Sequence, residues 1–466
     1  MPEFLDLLRA AIGADAVQSG AHIVARHLGD YMIQADAADG PLAVALPRNA
    51  EDVAAILRLC QAHQMPAVPQ GGLTGLAGGA VPIAGGIAIS LERMRRIEEV
   101  DVAASTITVE AGAPLQAVQD AADAAGLLFP LDIGSRGSCQ IGGNISTNAG
   151  GNRVLRFGMA RDLVLGFEAV LADGTILTSL NKMQKNNAGY DLKQLFIGSE
   201  GTLGIVTRLV LRLFPRPVSS RIALVTLPDY PAALDFMARA RSGLGGNLAA
   251  FELMWTEFYE LATTAHGVRP PLPRGAPIYV LLESLGADPD SDAARFDTMV
   301  EAALEAGVVM DAVIAQNLRE GRELWALRDS VTEFSRSFFP AVGFDVSLPI
   351  ARMQDFVSQA KAALAERHQA TRAVWFGHIA DSNLHVNVKL EPDGPTAEEI
   401  SAIVYQRVRD FGGSISAEHG IGLLKQKYLP YSRTDAEIAV MRRIKAALDP
   451  AGILNPGKIF SLAELS

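Results

Sequence analysis

Three of the eight histidines fall in two short segments, and their neighbours are groups that bind metals and acids. His378 and His385 flank Ala380–Asn383, the expected turn of a strand–turn–strand running from Trp375 to Lys389. A hairpin there would bring the two imidazoles together despite their odd spacing. Asn387, two residues past His385, shares its face. The second segment, Ser414–Gly422, contains Glu418-His419-Gly420. His378, His385 and Glu418 together form a donor set for Zn²⁺ or Mn²⁺ with open positions. Each histidine alone is as well explained as a satisfied polar group of the core or surface. Arg328 and Thr332 stand four apart on a helix expected over Leu324–Arg336. Their shared face either clamps a carboxylate, which guanidinium binds bidentately, or is simply solvated.

The glycines are clustered. Pro69-Gln70-Gly71-Gly72-Leu73-Thr74-Gly75-Leu76-Ala77-Gly78-Gly79 has five glycines in eleven residues between two expected strands. Such a loop either turns backbone N–H groups onto an anion or is a surface turn. It lacks G-x-G-x-x-G, so a Rossmann dinucleotide site is not supported. Further clusters are Gly134–Gly151 and Gly198–Gly204. Three such turns in one domain suggest close approach of backbone to something large, such as an extended dinucleotide, although each alone reads as a tight turn. Gly452–Lys458 imitates the start of a Walker A loop, but Ile459 stands where Ser or Thr would hold Mg²⁺.

The elements that must position these residues alternate along the chain. Residues 1–12 read as an amphipathic helix rather than a signal peptide. Asn49 caps a helix with Val53, Ile56, Leu57 and Cys60 on one face. Strands are expected at Pro66–Pro69, Ile87–Ile89, Thr106–Glu110 and Gly204–Phe214, a helix at Pro114–Ala125, and a hairpin at Leu163–Leu177 turning on Asp173-Gly174. Pro215–Ser220 marks a boundary. Beyond it, strands at Arg221–Leu227 and Pro277–Glu283 alternate with helices at Pro231–Arg241 and Asp292–Ala306, an α+β pattern. Gly267–Pro277, with four prolines, reads as a surface loop or lid, and Ala436–Leu448 as a last helix.

The 466 residues exceed one ordinary core. A formal charge of −11 argues against general nucleic-acid or anionic-membrane binding. Two cysteines, Cys60 and Cys139, exclude a disulfide framework and suit reduced thiols in the cytoplasm. No run of 18 apolar residues spans a membrane.

Together the runs Pro69–Pro82, Pro130–Gly151, Asn187–Thr207, Gly377–Val388, Gly413–Gly422 and Leu448–Lys458 resemble the flavoprotein superfamily of vanillyl-alcohol oxidase and p-cresol methylhydroxylase. Within it they look most like the D-2-hydroxyglutarate dehydrogenase and flavin-dependent D-lactate dehydrogenase group. The resemblance implies an α+β fold. A two-subdomain FAD-binding domain of the PCMH type would occupy 1–217, a substrate cap with an antiparallel sheet 218–430, and a returning segment 431–466. Pro69, Gln70, Gly71, Gly72, Leu73, Thr74, Gly75 and Leu76 would cradle the FAD pyrophosphate. Pro130, Asp132, Gly137, Ser138, Gly142, Gly143, Asn144, Thr147, Asn148, Gly201 and Ile205 would line the cofactor, with Asn455 near it. Leu73 stands where covalently flavinylated relatives carry His, so non-covalent FAD is expected. His378, His385 and Glu418 would hold the metal, and His419 would be the base. Arg328, Thr332, Asn387 and His419 would bind the substrate.

The implied reaction oxidises a D-2-hydroxy acid to a 2-oxo acid. The implied partners are that small substrate, an acceptor such as electron-transfer flavoprotein or a quinone, and a second copy of the chain in a homodimer. A glycolate-oxidase flavin subunit or an electron-transfer subunit is the alternative. One departure stands out: Gly343 replaces the substrate-binding lysine of the hydroxyglutarate enzymes. Losing that cation predicts a broader preference, covering D-lactate and D-malate as well as D-2-hydroxyglutarate.

Overall fold

A computed structural model describes residues 2–265 and 268–461, except the side chains of Pro2, Ala37, Ala265, Thr332, Ser335 and Arg336. The chain forms two compact units. The first takes residues 1–150, 158–216 and 418–466; the second takes 151–157 and 217–417.

The first unit opens with the helix Pro2–Ile12, which buries Phe4, Leu8 and Ile12 at four-residue intervals. The helix Ala50–Ala62 starts at Asn49, whose side chain accepts the Asp52 N–H at 2.8 Å, and it buries Val53, Ile56, Leu57 and Cys60. A four-stranded sheet runs in the order 17–19, 43–45, 87–90, 67–70; its last two pairings are parallel. The C-terminal segment covers the outer edge. Ala67 N donates to Ile453 O, and Asn455 N donates to Ala67 O, both at 2.8 Å. A second, antiparallel sheet has the order 97–101, 106–110, 205–212, 164–170, 176–179. The expected hairpin is its 164–179 edge, with Gly174 at φ 78° in the turn. The strand expected over Gly204–Phe214 is shorter, Ile205–Arg212, because Phe214–Pro215 leaves to pair with Leu127–Leu128. One hydrophobic core joins both sheets and the helices between them.

The second unit is built on seven antiparallel strands, ordered 311–314, 219–227, 278–286, 248–255, 373–378, 383–389, 341–347. The middle strand, Leu248–Trp255, is buried along its whole length. The helix expected from Leu324 begins earlier, at Leu318, because Asn317 caps it by accepting the Arg319 and Glu320 N–H groups. It ends as an α-helix at Asp329 and continues as a 3₁₀ helix, Ser330–Arg336. Gly267 of the proline-rich segment lies outside the described residues. Its remainder is pinned: Tyr259 and Tyr279 stack at 3.6 Å, and their hydroxyls bond the backbone of Leu272 and of Pro273 and Ala276.

Candidate active site

In the first unit the glycine loops interlock. A side chain at Gly72 would collide with the Ser138 carbonyl and lie 2.7 Å from the Cys139 Cα, so the 69–76 loop can sit there only with glycine. Leu73 adopts φ 60°, a left-handed conformation in a non-glycine residue. Gln70 is buried and committed: Oε1 meets His27 Nδ1 at 2.8 Å, and Nε2 donates to the His27 and Ala80 carbonyls at 3.0 Å. Asn455 ties three loops, donating from Nδ2 to Gly79 O (3.0 Å) and Glu200 O (2.7 Å) besides its backbone bond to Ala67.

Buried charge holds the same region. Glu200 accepts the Ile421 and Gly422 N–H groups at 2.7 and 2.8 Å. Lys458 donates to Val81 O at 2.7 Å, which accounts for the lysine of the Walker-like run. Burial raises the Glu200 and Asp30 carboxyls above the usual range and lowers Lys458 to about 8. Lys445 bonds Thr202 O, Leu454 O and Asp449. Both cysteines are buried free thiols, and burial pushes Cys60 up to about 12.

This cradle fits a large polar ligand. Side chains added at Gly137 and Gly143 would meet nothing within 4 Å and would point into open space. Gln140 Oε1, 3.7 Å from where a Gly71 Cβ would sit, is buried without a hydrogen-bond partner among the described residues; so is Asn455 Oδ1. Glu418 belongs to this unit, and its Oε1 would lie 2.6 Å from a Cβ at Gly150, so glycine there makes room for the carboxylate.

In the second unit His378, His385 and Asn387 share one sheet face. His378 and His385 are on neighbouring strands with ring centroids 5.5 Å apart, edge to face. His385 and Asn387 are half-buried, whereas Leu384, Val386 and Val388 on the other face are fully buried. Asp345, opposite His385 in register, is fully buried; its Oδ1 accepts Asn383 Nδ2 at 2.9 Å and lies 3.8 Å from His385 Nδ1. The N–H of Ala417, the residue before Glu418, reaches Asp345 Oδ2 at 3.2 Å. Gly343 is exposed opposite Asn387, whose Oδ1 would lie 3.1 Å from a Cβ there. Arg328 is buried, which overturns the solvated-face alternative. Its Nε donates to Glu252 at 2.6 Å, and Nη2 lies 3.2 Å from His378 Nε2. The Thr332 side chain lies outside the described residues.

Glu252 and Asp345 were not singled out from sequence. The available signal was a lone acid inside the apolar strand Leu-Ala-Ala-Phe-Glu-Leu-Met-Trp, since a buried carboxylate requires a partner.

Two family models match the chain: an FAD binding domain over residues 41–179 and the C-terminal domain of FAD linked oxidases over 216–459. The 4-ethylphenol oxidase of Gulosibacter chungangensis shares the fold, with TM-score 0.76 and 18% identity, covering 99% of this chain and 98% of that one. The chain therefore belongs to the FAD-linked oxidases of the PCMH type and is an FAD-dependent oxidoreductase. Its sequence relatives narrow the group to the flavin-dependent hydroxy-acid dehydrogenases. A D-2-hydroxyglutarate dehydrogenase of Xanthomonas citri pv. viticola is 42% identical over 90% of this chain and 89% of its own length. The mitochondrial D-2-hydroxyglutarate dehydrogenase of Bos taurus is 40% identical over 89% and 76%. Among the described residues no helix is long and apolar enough to cross a membrane.

Proposed function

We propose that this chain oxidises D-2-hydroxy acids to 2-oxo acids, over a range that takes in D-lactate, D-malate and D-2-hydroxyglutarate. The observation that carries this reading is the face on which His378, His385, Asn387 and a buried Arg328 converge, in a chain whose relatives are named D-2-hydroxyglutarate dehydrogenases.

The donor chemistry of two imidazoles and a carboxylate suits a divalent cation, Zn²⁺ or Mn²⁺, with His378, His385 and Glu418 as its ligands. Bound there, it would supply Lewis acidity to the substrate hydroxyl. FAD, held without a covalent bond because Leu73 offers no nucleophile, supplies the hydride acceptor. His419 takes the hydroxyl proton on a ring nitrogen, a role that contributes about 10²–10⁴-fold. Asn387 orients the substrate through its amide. Arg328, with Thr332, receives carboxylate at its Nη edge. We assign electron-transfer flavoprotein or a quinone as acceptor and the cytoplasm as location.

The test is a panel of D- and L-2-hydroxy acids with a dye acceptor, before and after chelation. The D-acids should bleach the flavin anaerobically, the L-acids should not, and chelation should remove the activity until Zn²⁺ or Mn²⁺ is restored. Bleaching only by a partner protein would replace this reading with an electron-transfer subunit.

A further inference from the structure

Glu252 sits at the centre of the seven-stranded sheet, directly opposite His378 in register, with none of its surface exposed. Its Oε2 accepts Arg328 Nε at 2.6 Å and lies 3.7 Å from His378 Nε2. Its Oε1 is buried with no hydrogen-bond partner among the described residues. The Phe376 ring closes one face of the guanidinium, its centroid 4.9 Å from the Arg328 Cζ. Arg328 therefore spends Nε on this carboxylate and Nη2 on His378 Nε2, and turns Nη1 to a further acceptor.

We propose that Glu252 is a positioning and specificity-determining residue: it fixes Arg328 and cancels most of its charge, so that the site accepts D-2-hydroxy acids with or without a second carboxylate. The inference rests on the function proposed above and refines its substrate class. A carboxylate arriving at the Nη edge meets one positive charge with a negative charge directly behind it. In a poorly solvated site the second charge offsets much of the first. Gly343, on the same sheet opposite Asn387, adds no cation. A substrate with an uncharged tail, such as D-lactate, is indifferent to this balance.

Glu252→Gln keeps an acceptor for Arg328 Nε and removes the charge. The kcat/KM ratio of D-2-hydroxyglutarate over D-lactate should rise about tenfold or more, mainly through KM for the diacid. D-lactate undergoes the same head-group chemistry, so a general loss of turnover cancels in the ratio. An unchanged or falling ratio overturns the proposal. Should that variant not fold, the unsubstituted holoenzyme decides: its kcat/KM values for D-2-hydroxyglutarate and D-lactate should agree within about tenfold, and a larger preference for either overturns the proposal. If the unsubstituted holoenzyme is reduced by no D-2-hydroxy acid, the functional reading itself has failed and this inference with it.

Discussion

In the first unit the candidate cofactor loops are shaped by backbone: Gly72 fits only because it lacks a side chain, and a Cβ at Gly137 or Gly143 would meet nothing within 4 Å. Its buried ionic groups, Glu200, Lys445 and Lys458, bond to carbonyls, N–H groups and a carboxylate that tie loops together. In the second unit the backbone is a regular sheet, and the candidate side chains gather at one face: His378, His385, Asn387 and the Glu252–Arg328 pair. A cofactor used in every turnover can be held by shape and main-chain dipoles. A substrate that must be told apart from its neighbours requires charge, and charge in a buried sheet requires partners.

Five substitutions break or sharpen that contrast. The largest effect is expected from His419→Ala. FAD content should be retained while anaerobic flavin reduction by the preferred acid falls about 10²–10⁴-fold; stopped-flow absorbance reads the rate, and near-normal reduction would remove the base assignment. Next is Lys445→Met, which leaves the buried Asp449 only the Ile453 and Leu454 N–H groups, with no counter-charge among the described residues, and frees two carbonyls. It should cost about 3–5 kcal/mol in chemical denaturation, with hydroxy-acid selectivity unchanged in whatever folds.

Gly72→Ala follows. Forcing a methyl against Ser138 and Cys139 should cost about 1–3 kcal/mol and weaken FAD binding by up to about a hundredfold. Leu73→Ala should leave FAD content unaltered, and acid precipitation of the unsubstituted protein should give a colourless pellet.

The smallest effect is a pH slope. Burial holds Lys458 near 8 in the folded chain against 10.5 unfolded. Below pH 8 both states keep the proton and no slope arises. Between about 8 and 10.5 the unfolded chain keeps a proton that the folded chain has lost, so stability rises with pH, by at most about 1.4 kcal/mol per unit. Lys458→Met should abolish that rise in paired denaturation series.

Local features were legible in the sequence. The Asn49 cap, the Asp173-Gly174 hairpin and the strand pair around Ala380–Asn383 are specified within a few residues each, and they fold as their sequences indicate. The fold class followed from them and from the ordered family runs. What was not legible depends on distance along the chain. Glu252 and Arg328 are 76 residues apart, so neither reveals the other. The helix start at Leu318 was missed because the Asn317 cap precedes a stretch of charged residues with little apolar periodicity. Residues 151–157 join the second unit although their sequence neighbours on both sides belong to the first, and nothing local signals that allegiance.

That exchange has a consequence for biosynthesis. The chain passes between the units four times, at 150/151, 157/158, 216/217 and 417/418. As the polypeptide leaves the ribosome from its N-terminal end, the strand at 67–70 emerges long before 453–455, the segment that flanks its edge. A strand that emerges well before its C-terminal neighbour is thus completed only after that neighbour has been made. Ribosome profiling paired with limited proteolysis of nascent chains should find residues 67–70 protease-sensitive until translation has passed Asn455.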